Sequence, residues 1–194
     1  KPPTEISRRD EVLIGPSGVV TMAGGKLTGY RLMARETLGK AAEICELELG
    51  PLPEDEPPLP GGDFDGDLAA LEASLVREFG LSPACAARLA RLYGSEAREL
   101  ARSGAQPLVA GAPVLAAEVD WAVGVAAAAS VEDVVYRRLR TAWFVPGARE
   151  ESVAPSAERM AALLGWDAER TQREIDGVRA RLAMDLDFVA KSRT

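Results

Sequence analysis

The residues of this chain that could do chemistry are concentrated in one short run, Gly24-Gly25-Lys26-Leu27-Thr28. Glycines carry no side chain, so their backbone N–H groups can approach a ligand closely. The lysine adds a point charge suited to phosphate, and the threonine adds a hydroxyl. A helix that begins just after the run would contribute its free N–H groups and its partial positive charge. The run is therefore typical of a site for an anion or for an electron-rich ring edge.

On spacing alone, an ordinary structural turn explains the same residues. Glycine punctuates junctions between strands and helices whether or not a ligand binds there. The run is also not a phosphate loop of the Walker type, because Val20 occupies the position at which that motif needs its upstream glycine. Both interpretations, an anion site and a plain strand–turn–helix junction, stay open at this point.

The elements that must position this run are a short hairpin before it and a helix after it. Residues 18–23 have the β-branched content of a strand, residues 12–14 form an apolar step, and Pro16-Ser17-Gly18 favours a turn between them. A helical pattern follows from about residue 27 to residue 49. Because an isolated hairpin is only marginally stable in water, we expect its sheet partner to lie outside this chain.

The remainder of the chain is predicted to be helical. Residues 1–50 form the strand–turn–helix segment, residues 51–66 are a Pro- and Gly-rich linker that we expect to be extended and solvated, and residues 67–194 form an α-helical domain. A capping box at Ser130 and Asp133 begins a helix that is expected to run to about Trp143. The fold class is therefore mainly α, with a helical C-terminal domain behind a short N-terminal strand–turn–helix segment.

Composition restricts the functions that this chain can perform. The net charge of −7 argues against a nucleic-acid partner, and the absence of histidine removes the commonest general base and metal ligand, so no metal site is expected. Cys45 and Cys85 lie in helical contexts and are expected to be buried, reduced thiols.

No apolar run approaches the roughly 20 residues that span a bilayer. The chain begins at Lys1, so we expect it to be a piece of a longer protein.

Several longer strings make the pattern far more specific than the glycine run alone. Together they resemble the FAD-dependent (aerobic) glycerol-3-phosphate dehydrogenases, over residues 7 to about 146. The strings that carry the resemblance are Ser7-Arg8-Arg9-Asp10-Glu11, the run from Gly18 to Ala34, Leu59-Pro60-Gly61-Gly62, Glu118-Val119-Asp120-Trp121-Ala122-Val123, and the helix from Ser130 to Arg140.

The resemblance implies a flavoenzyme that oxidises sn-glycerol 3-phosphate to dihydroxyacetone phosphate and passes electrons from FAD to quinone. It implies that an N-terminal FAD-binding domain of the same protein is the partner of this chain, and that this chain alone is inactive and carries no catalytic residue. By matched motif, the cofactor-binding positions are Gly24, Gly25, Leu27 and Thr28, and the substrate-binding positions are Lys26 and Arg8. A homodimer is compatible with the resemblance, as is a location in the cytoplasm or peripherally at the inner face of the cytoplasmic membrane.

Two other functions stay open beside this one. A non-catalytic helical module for docking or oligomerisation would make the glycine run merely structural, and a glycerol-3-phosphate oxidase would pass its electrons to oxygen instead of quinone. One departure from the family concerns docking, because Gly124-Val125-Ala126 stands where the family commonly has a polar Arg-x-Glu step. Arg137, Arg138 and Arg140 form either a solvated, ion-paired face or a docking surface for acidic parts of the missing domain.

Overall fold

The computed structural model describes residues 11–51 and 57–191. The chain divides into two compact units, which we call the N-terminal unit (residues 1–56) and the helical unit (residues 57–194). Helices dominate the described residues, and their only paired strands form one two-stranded sheet, so the mainly α fold class is confirmed. No helix within residues 11–51 or 57–191 is both long enough and apolar enough to cross a bilayer.

The N-terminal unit is a hairpin followed by one helix. Strands β1 (Glu11–Ile14) and β2 (Val20–Ala23) pair in antiparallel register, with Glu11 opposite Ala23. The connecting turn closes where the Gly18 N–H donates to the Gly15 carbonyl at 2.9 Å. A short 3₁₀ turn (Leu27–Gly29) leads into α1 (Tyr30–Cys45), so the α-helix begins three residues later than the pattern predicts.

The N-terminal unit buries very little of its own apolar surface. Ala42 is the one buried residue of α1, while Leu32, Leu38 and Ile44 are exposed. Cys45 is also exposed, so the prediction that it is a buried thiol is wrong for this structure. The physical reason is that α1 packs only on the small hairpin among the described residues of its unit, so most of its apolar stripe stays uncovered.

The helical unit contains seven α-helices and one π-helical turn in its described part. They are α2 (Leu68–Phe79), α3 (Pro83–Tyr93), α4 (Ala97–Ser103), α5 (Ala117–Gly124), the π-turn (Asp133–Arg138), α6 (Thr141–Phe144), α7 (Val153–Leu164) and α8 (Ala168–Lys191). Two 3₁₀ turns, Gly94–Glu96 and Pro146–Ala148, join neighbouring helices.

Side-chain caps begin several of these helices, among them the capping box that the sequence predicts at Ser130. The Ala70 N–H donates to Asp67 at 3.0 Å, and the Arg170 N–H donates to Asp167 at 2.7 Å. At the predicted capping box, the Asp133 N–H donates to the Ser130 hydroxyl at 3.1 Å, and the Ser130 N–H donates back to the Asp133 carboxylate at 3.1 Å. These caps satisfy backbone donors that a helix terminus leaves unpaired.

Two apolar cores stabilise the helical unit. The first lies among α2, α3 and α4 and includes the fully buried Leu75, Leu89 and Leu100. The second lies among α5, the π-turn, α7 and α8 and includes Val134 and Met160. Cys85 belongs to the first core, which confirms the expectation of a buried thiol at that position.

A buried ion pair crosses from α3 to α5. The fully buried Glu118 carboxylate accepts from Arg88 Nη1 at 2.6 and 2.7 Å, from the Tyr93 hydroxyl at 2.9 Å and from the Leu115 N–H at 2.8 Å. Arg88 Nη2 donates onward to the Leu139 carbonyl at 2.8 Å. A buried charge is tolerated only when it is paired and hydrogen-bonded in this way.

That network also explains why the predicted helix from Ser130 to Trp143 is interrupted. The Leu139 N–H donates to the Val134 carbonyl at 2.9 Å, a bond of π-helical spacing, and Arg140 then adopts a left-handed conformation with φ of 57°. The Leu139 carbonyl accepts from Arg88 rather than from a following helical N–H. The prediction of one continuous helix is therefore wrong, and α6 begins afresh at Thr141.

The end of the predicted linker packs closely against the helical unit. The Ser95 N–H donates to the Gly61 carbonyl at 2.9 Å, and a Cβ placed on Gly94 would lie 1.9 Å from that same oxygen. Gly94 also has a positive φ of 54°, so both sterics and conformation require glycine there. Gly61, near the end of the predicted linker, is therefore held against the helical unit, whereas residues 52–56 of that linker lie outside the described residues.

Candidate functional site

The glycine run lies between the hairpin and α1, as the sequence predicts. Gly24 and Gly25 both adopt left-handed backbone conformations, with φ of 84° and 82°. Two consecutive positive φ values are costly for residues with a Cβ, so the double glycine is required to turn the chain from β2 toward α1. Lys26 returns to an extended conformation, and its carbonyl accepts from the Gly29 N–H at 2.8 Å to close the 3₁₀ turn.

This turn presents backbone donors that have no acceptor of their own. The N–H groups of Gly24, Gly25 and Lys26 donate to no acceptor among residues 11–51 and 57–191. No side chain caps the 3₁₀ turn or α1 either. Unpaired N–H groups next to side-chain-free backbone are the groups that an anion or the polar edge of a flavin ring would accept hydrogen bonds from.

The predicted side chains surround these donors on the surface of the N-terminal unit. Lys26, Leu27 and Thr28 are all exposed, and Leu27 is 88% exposed although it is fully apolar. The structure therefore brings Gly24, Gly25, Lys26, Leu27 and Thr28 together in one accessible turn. Arg8, the second predicted substrate-binding residue, lies outside the described residues.

Tyr30 and Arg31, which follow the run, contact each other on the first turn of α1. Arg31 Nε donates to the Tyr30 hydroxyl at 3.0 Å, and the guanidinium carbon lies 5.8 Å from the centre of the tyrosine ring. Each of these two side chains thus has a partner on the surface of α1. The residues available for ligand binding are therefore those of the turn itself.

The buried titratable groups of the helical unit show no sign of catalysis. Burial, together with the negative charge of Glu118, raises the pKa of Cys85 to about 11, so the thiol is protonated and unreactive at neutral pH. Burial, followed by the charge and hydrogen bond of Glu118, raises the pKa of Tyr93 as well. Tyr93 thus stays a hydrogen-bond donor to Glu118, and both groups are structural. Sequence reasoning missed this network, because Arg88 and Glu118 are 30 residues apart and no local pattern pairs them.

Two acidic residues at the start of the helical unit accept hydrogen bonds from backbone N–H groups. Asp63, Asp65 and Asp67 line one cleft together with Arg98. Asp67 caps α2, and Asp65 Oδ1 accepts from the Asp67 N–H at 3.0 Å. Across the part of the chain that the structure describes, no three carboxylate or thiol groups are arranged to hold a metal ion.

Comparison with known proteins places this fold and turn in a defined class. A family model described as the C-terminal domain of alpha-glycerophosphate oxidase matches residues 55–171, which is 117 of the 194 residues. The chain belongs to this family. The match covers the helical unit from the linker to the beginning of α8.

Relatives by sequence include glycerol-3-phosphate dehydrogenases, which confirms the resemblance seen in the motifs. The chain is 33% identical over 200 residues to the mitochondrial glycerol-3-phosphate dehydrogenase of Rattus norvegicus, covering 97% of this chain and 27% of the relative. It is 37% identical over 109 residues to the aerobic glycerol-3-phosphate dehydrogenase of Staphylococcus aureus, covering 52% of this chain and 20% of the relative. The chain thus spans about a quarter of the length of the mitochondrial relative.

A solved structure shares the fold. The glycerol-3-phosphate dehydrogenase of Bacillus halodurans, determined in complex with FAD, superposes with a TM-score of 0.70 at 24% identity. The likeness covers 90% of this chain and 37% of that chain. The strand–turn–helix segment and the helical unit therefore both have counterparts in a larger protein.

Proposed function

We propose that this chain is the C-terminal portion of a flavoenzyme that oxidises sn-glycerol 3-phosphate to dihydroxyacetone phosphate. FAD, when bound, would accept the two electrons and two protons that leave the secondary alcohol as it becomes a ketone, and would pass them to quinone. The observation that carries the proposal is the double-glycine turn with unpaired N–H groups and an exposed lysine in a chain whose relatives are glycerol-3-phosphate dehydrogenases.

In this proposal the backbone of the turn binds the flavin and the lysine binds the substrate. Gly24, Gly25, Leu27 and Thr28 would lie along the flavin, where backbone N–H groups stabilise the negative charge that grows on the ring as it is reduced. The turn fits such a ligand because it has no Cβ at two successive positions and its N–H groups find no acceptor in the described part of the chain. Lys26, with Arg8 as a second cation, would hold the phosphate of the substrate.

The proposal also assigns the parts of the chain. Residues 1–50 would complete the flavin and substrate domain, residues 51–66 would link, and residues 67–194 would form the helical C-terminal domain. The small amount of apolar surface that the N-terminal unit buries supports this division, because α1 needs a further layer to cover it. The chain by itself would bind no FAD and show no turnover, and robust activity of the 194-residue chain would contradict this view.

The test is Lys26→Ala in the full-length enzyme, with kinetics and flavin content measured together. We expect the KM for glycerol 3-phosphate to rise roughly 10- to 100-fold, corresponding to the loss of a hydrogen bond to a charged group of about 1.5–3 kcal/mol. Bound FAD should stay unchanged, because the flavin contacts come from the backbone. Lys40→Ala is the matched control, since Lys40 lies on α1, which follows the turn, and pairs with Glu43 at 2.8 Å. An unchanged KM in Lys26→Ala would overturn the substrate assignment and favour the non-catalytic docking module.

The electron acceptor is tested separately from the substrate. We propose quinone, because the relatives named above are dehydrogenases. The matching family model, however, takes its description from alpha-glycerophosphate oxidase, so oxygen is the second candidate for the electron acceptor. Turnover that requires a quinone analogue and releases no peroxide supports the dehydrogenase, whereas stoichiometric peroxide without added quinone supports the oxidase. A quinone-dependent enzyme would work at the inner face of the cytoplasmic membrane. Co-sedimentation of the full-length protein with lipid vesicles tests this peripheral binding. The mass of the protein in solution tests whether it forms a dimer.

A further inference from the structure

The helical unit carries a cleft that the proposed flavin site does not use. It has a volume of about 340 Å³ and lies where the C-terminal ends of α3 and α5 approach the break at Arg140. We call it the arginine cleft and define it by Leu92, Tyr93, Trp121, Val125, Arg138 and Arg140. Glu96 is the one acidic residue on its wall.

The arginine cleft is rich in donors that have no acceptor. Arg138 uses Nε to donate to the Ala126 carbonyl at 2.9 Å, and its other N–H groups have no partner among the described residues. The guanidinium of Arg140 makes no hydrogen bond or ion pair within the same residues, and neither does the indole N–H of Trp121. Arg137, by contrast, is neutralised by Glu132 and by Asp133, the latter at 3.0 Å. The unmet donors call for a ligand that supplies oxygen acceptors and negative charge.

The rim of the arginine cleft is apolar and exposed. Val125 is 59% exposed and Leu92 is exposed beside it, so burial of both side chains would be favourable. Aromatic residues and arginine around an apolar centre are the composition of protein–protein hot spots rather than of a site for a free ion. The ligand that fits is therefore a polypeptide segment that carries a carboxylate next to apolar side chains.

The cleft is also held in place by the buried network. Arg140 is a non-glycine residue in a left-handed conformation, which persists only where the surrounding structure imposes it. The preceding carbonyl, that of Leu139, is fixed by Arg88, whose other hydrogen bonds go to the buried Glu118. Arg140 is thus presented on a rigid base, which lowers the entropy that a partner must overcome on binding.

We propose that the arginine cleft docks a carboxylate-bearing segment from the part of the longer polypeptide that precedes residue 1. This inference rests on the proposed function, which makes the chain a portion of a larger enzyme. Charge favours this occupant, because the guanidinium groups of Arg138 and Arg140 have no carboxylate partner among the described residues and line an opening with a single acid on its wall. Length favours it too, since the matched region is only 27% of the rat relative and 37% of the Bacillus structure.

The test compares amide hydrogen exchange in the full-length protein and in the 194-residue chain. If the segment docks, amides of residues 121–126 and 139–144 should exchange at least about tenfold more slowly in the full-length protein. Arg140→Glu should abolish this difference. Arg140→Gly should abolish it as well, and because glycine suits the φ of 57°, misfolding cannot account for the loss. Arg173→Glu is the control, since Arg173 is exposed on α8 and pairs with Glu169.

Each other outcome overturns the inference. Equal exchange in both proteins means that the arginine cleft stays open. Protection that appears in the 194-residue chain and grows with its concentration means that a second copy is the occupant, and protection that requires anionic vesicles means that a lipid surface is. The readout is independent of flavin and turnover, so a failure of the proposed function appears in the KM of Lys26→Ala and not here.

Discussion

The two units of this chain differ in how much apolar surface they bury and in which polar groups they leave exposed. The N-terminal unit carries the exposed glycine turn and its lysine, yet Ala42 is the one residue of α1 that it buries. The helical unit buries two apolar cores and an ion pair, yet its buried Cys85 and partly buried Tyr93 are held in unreactive protonation states. The unpaired N–H groups of the turn and the exposed apolar face of α1 are what we expect of a segment that packs against another part of a longer polypeptide.

Among the substitutions that test this contrast, Glu118→Ala in the helical unit should have the largest effect on stability. The substitution leaves the Arg88 charge buried without its partner and removes the acceptor of the Tyr93 hydroxyl. We expect the free energy of unfolding to fall by roughly 3–5 kcal/mol, the usual cost of breaking a buried pair from one side. Urea denaturation followed by far-UV circular dichroism measures it.

Two further variants show whether the loss of stability comes from leaving a buried charge without its partner. Glu99→Ala removes an exposed glutamate from α4 and should change stability by less than about 0.5 kcal/mol. Replacing Arg88 and Glu118 together by apolar residues should cost much less than Glu118→Ala alone, since no charge is then left buried. If Glu118→Ala costs no more than Glu99→Ala, the network does not stabilise the helical unit.

Local signals in the sequence predict the elements well and their junctions poorly. The capping box at Ser130 and the glycine turn are set by neighbours within four residues, so the sequence predicts them. The break at Arg140 depends on Arg88, which lies 51 residues before the carbonyl that it binds, and no periodicity encodes that contact. The exposure of Cys45 depends on what α1 lacks in its own unit, which a helical pattern does not reveal either.

A smaller effect is expected at the capping box before the π-turn. Burial opposes ionisation of Asp133, but hydrogen bonds from the Ala129 and Ser130 N–H groups and the Ser130 hydroxyl, with the charge of Arg137, outweigh it and hold the pKa of Asp133 below its ordinary value of 3.8. Asp133→Asn should cost about 1 kcal/mol at pH 7, as the loss of a charged cap does.

The pH dependence of that cost follows from the sign of the pKa shift. Because the folded pKa is depressed, the stabilisation by Asp133 is complete above pH 3.8, the ordinary value, and is lost as the pH falls through the folded pKa. The difference in unfolding free energy between the wild type and Asp133→Asn should therefore shrink below that pH. A difference that grows with acidification would show that the carboxylate is not stabilised by its partners.

The smallest effect is expected in the N-terminal unit, at Leu38 of α1. Its side chain is 61% exposed, and alanine favours a helix at least as well as leucine does. Leu38→Ala should thus alter the unfolding free energy of the 194-residue chain by less than about 0.5 kcal/mol, whereas the buried Leu89→Ala should cost roughly 2–5 kcal/mol. In the full-length protein the same Leu38→Ala should lower the unfolding free energy by roughly 1.5–3 kcal/mol if another layer covers α1 there. A negligible cost in both proteins would mean that the apolar face of α1 stays in water, and that the N-terminal unit is not completed by the rest of the enzyme.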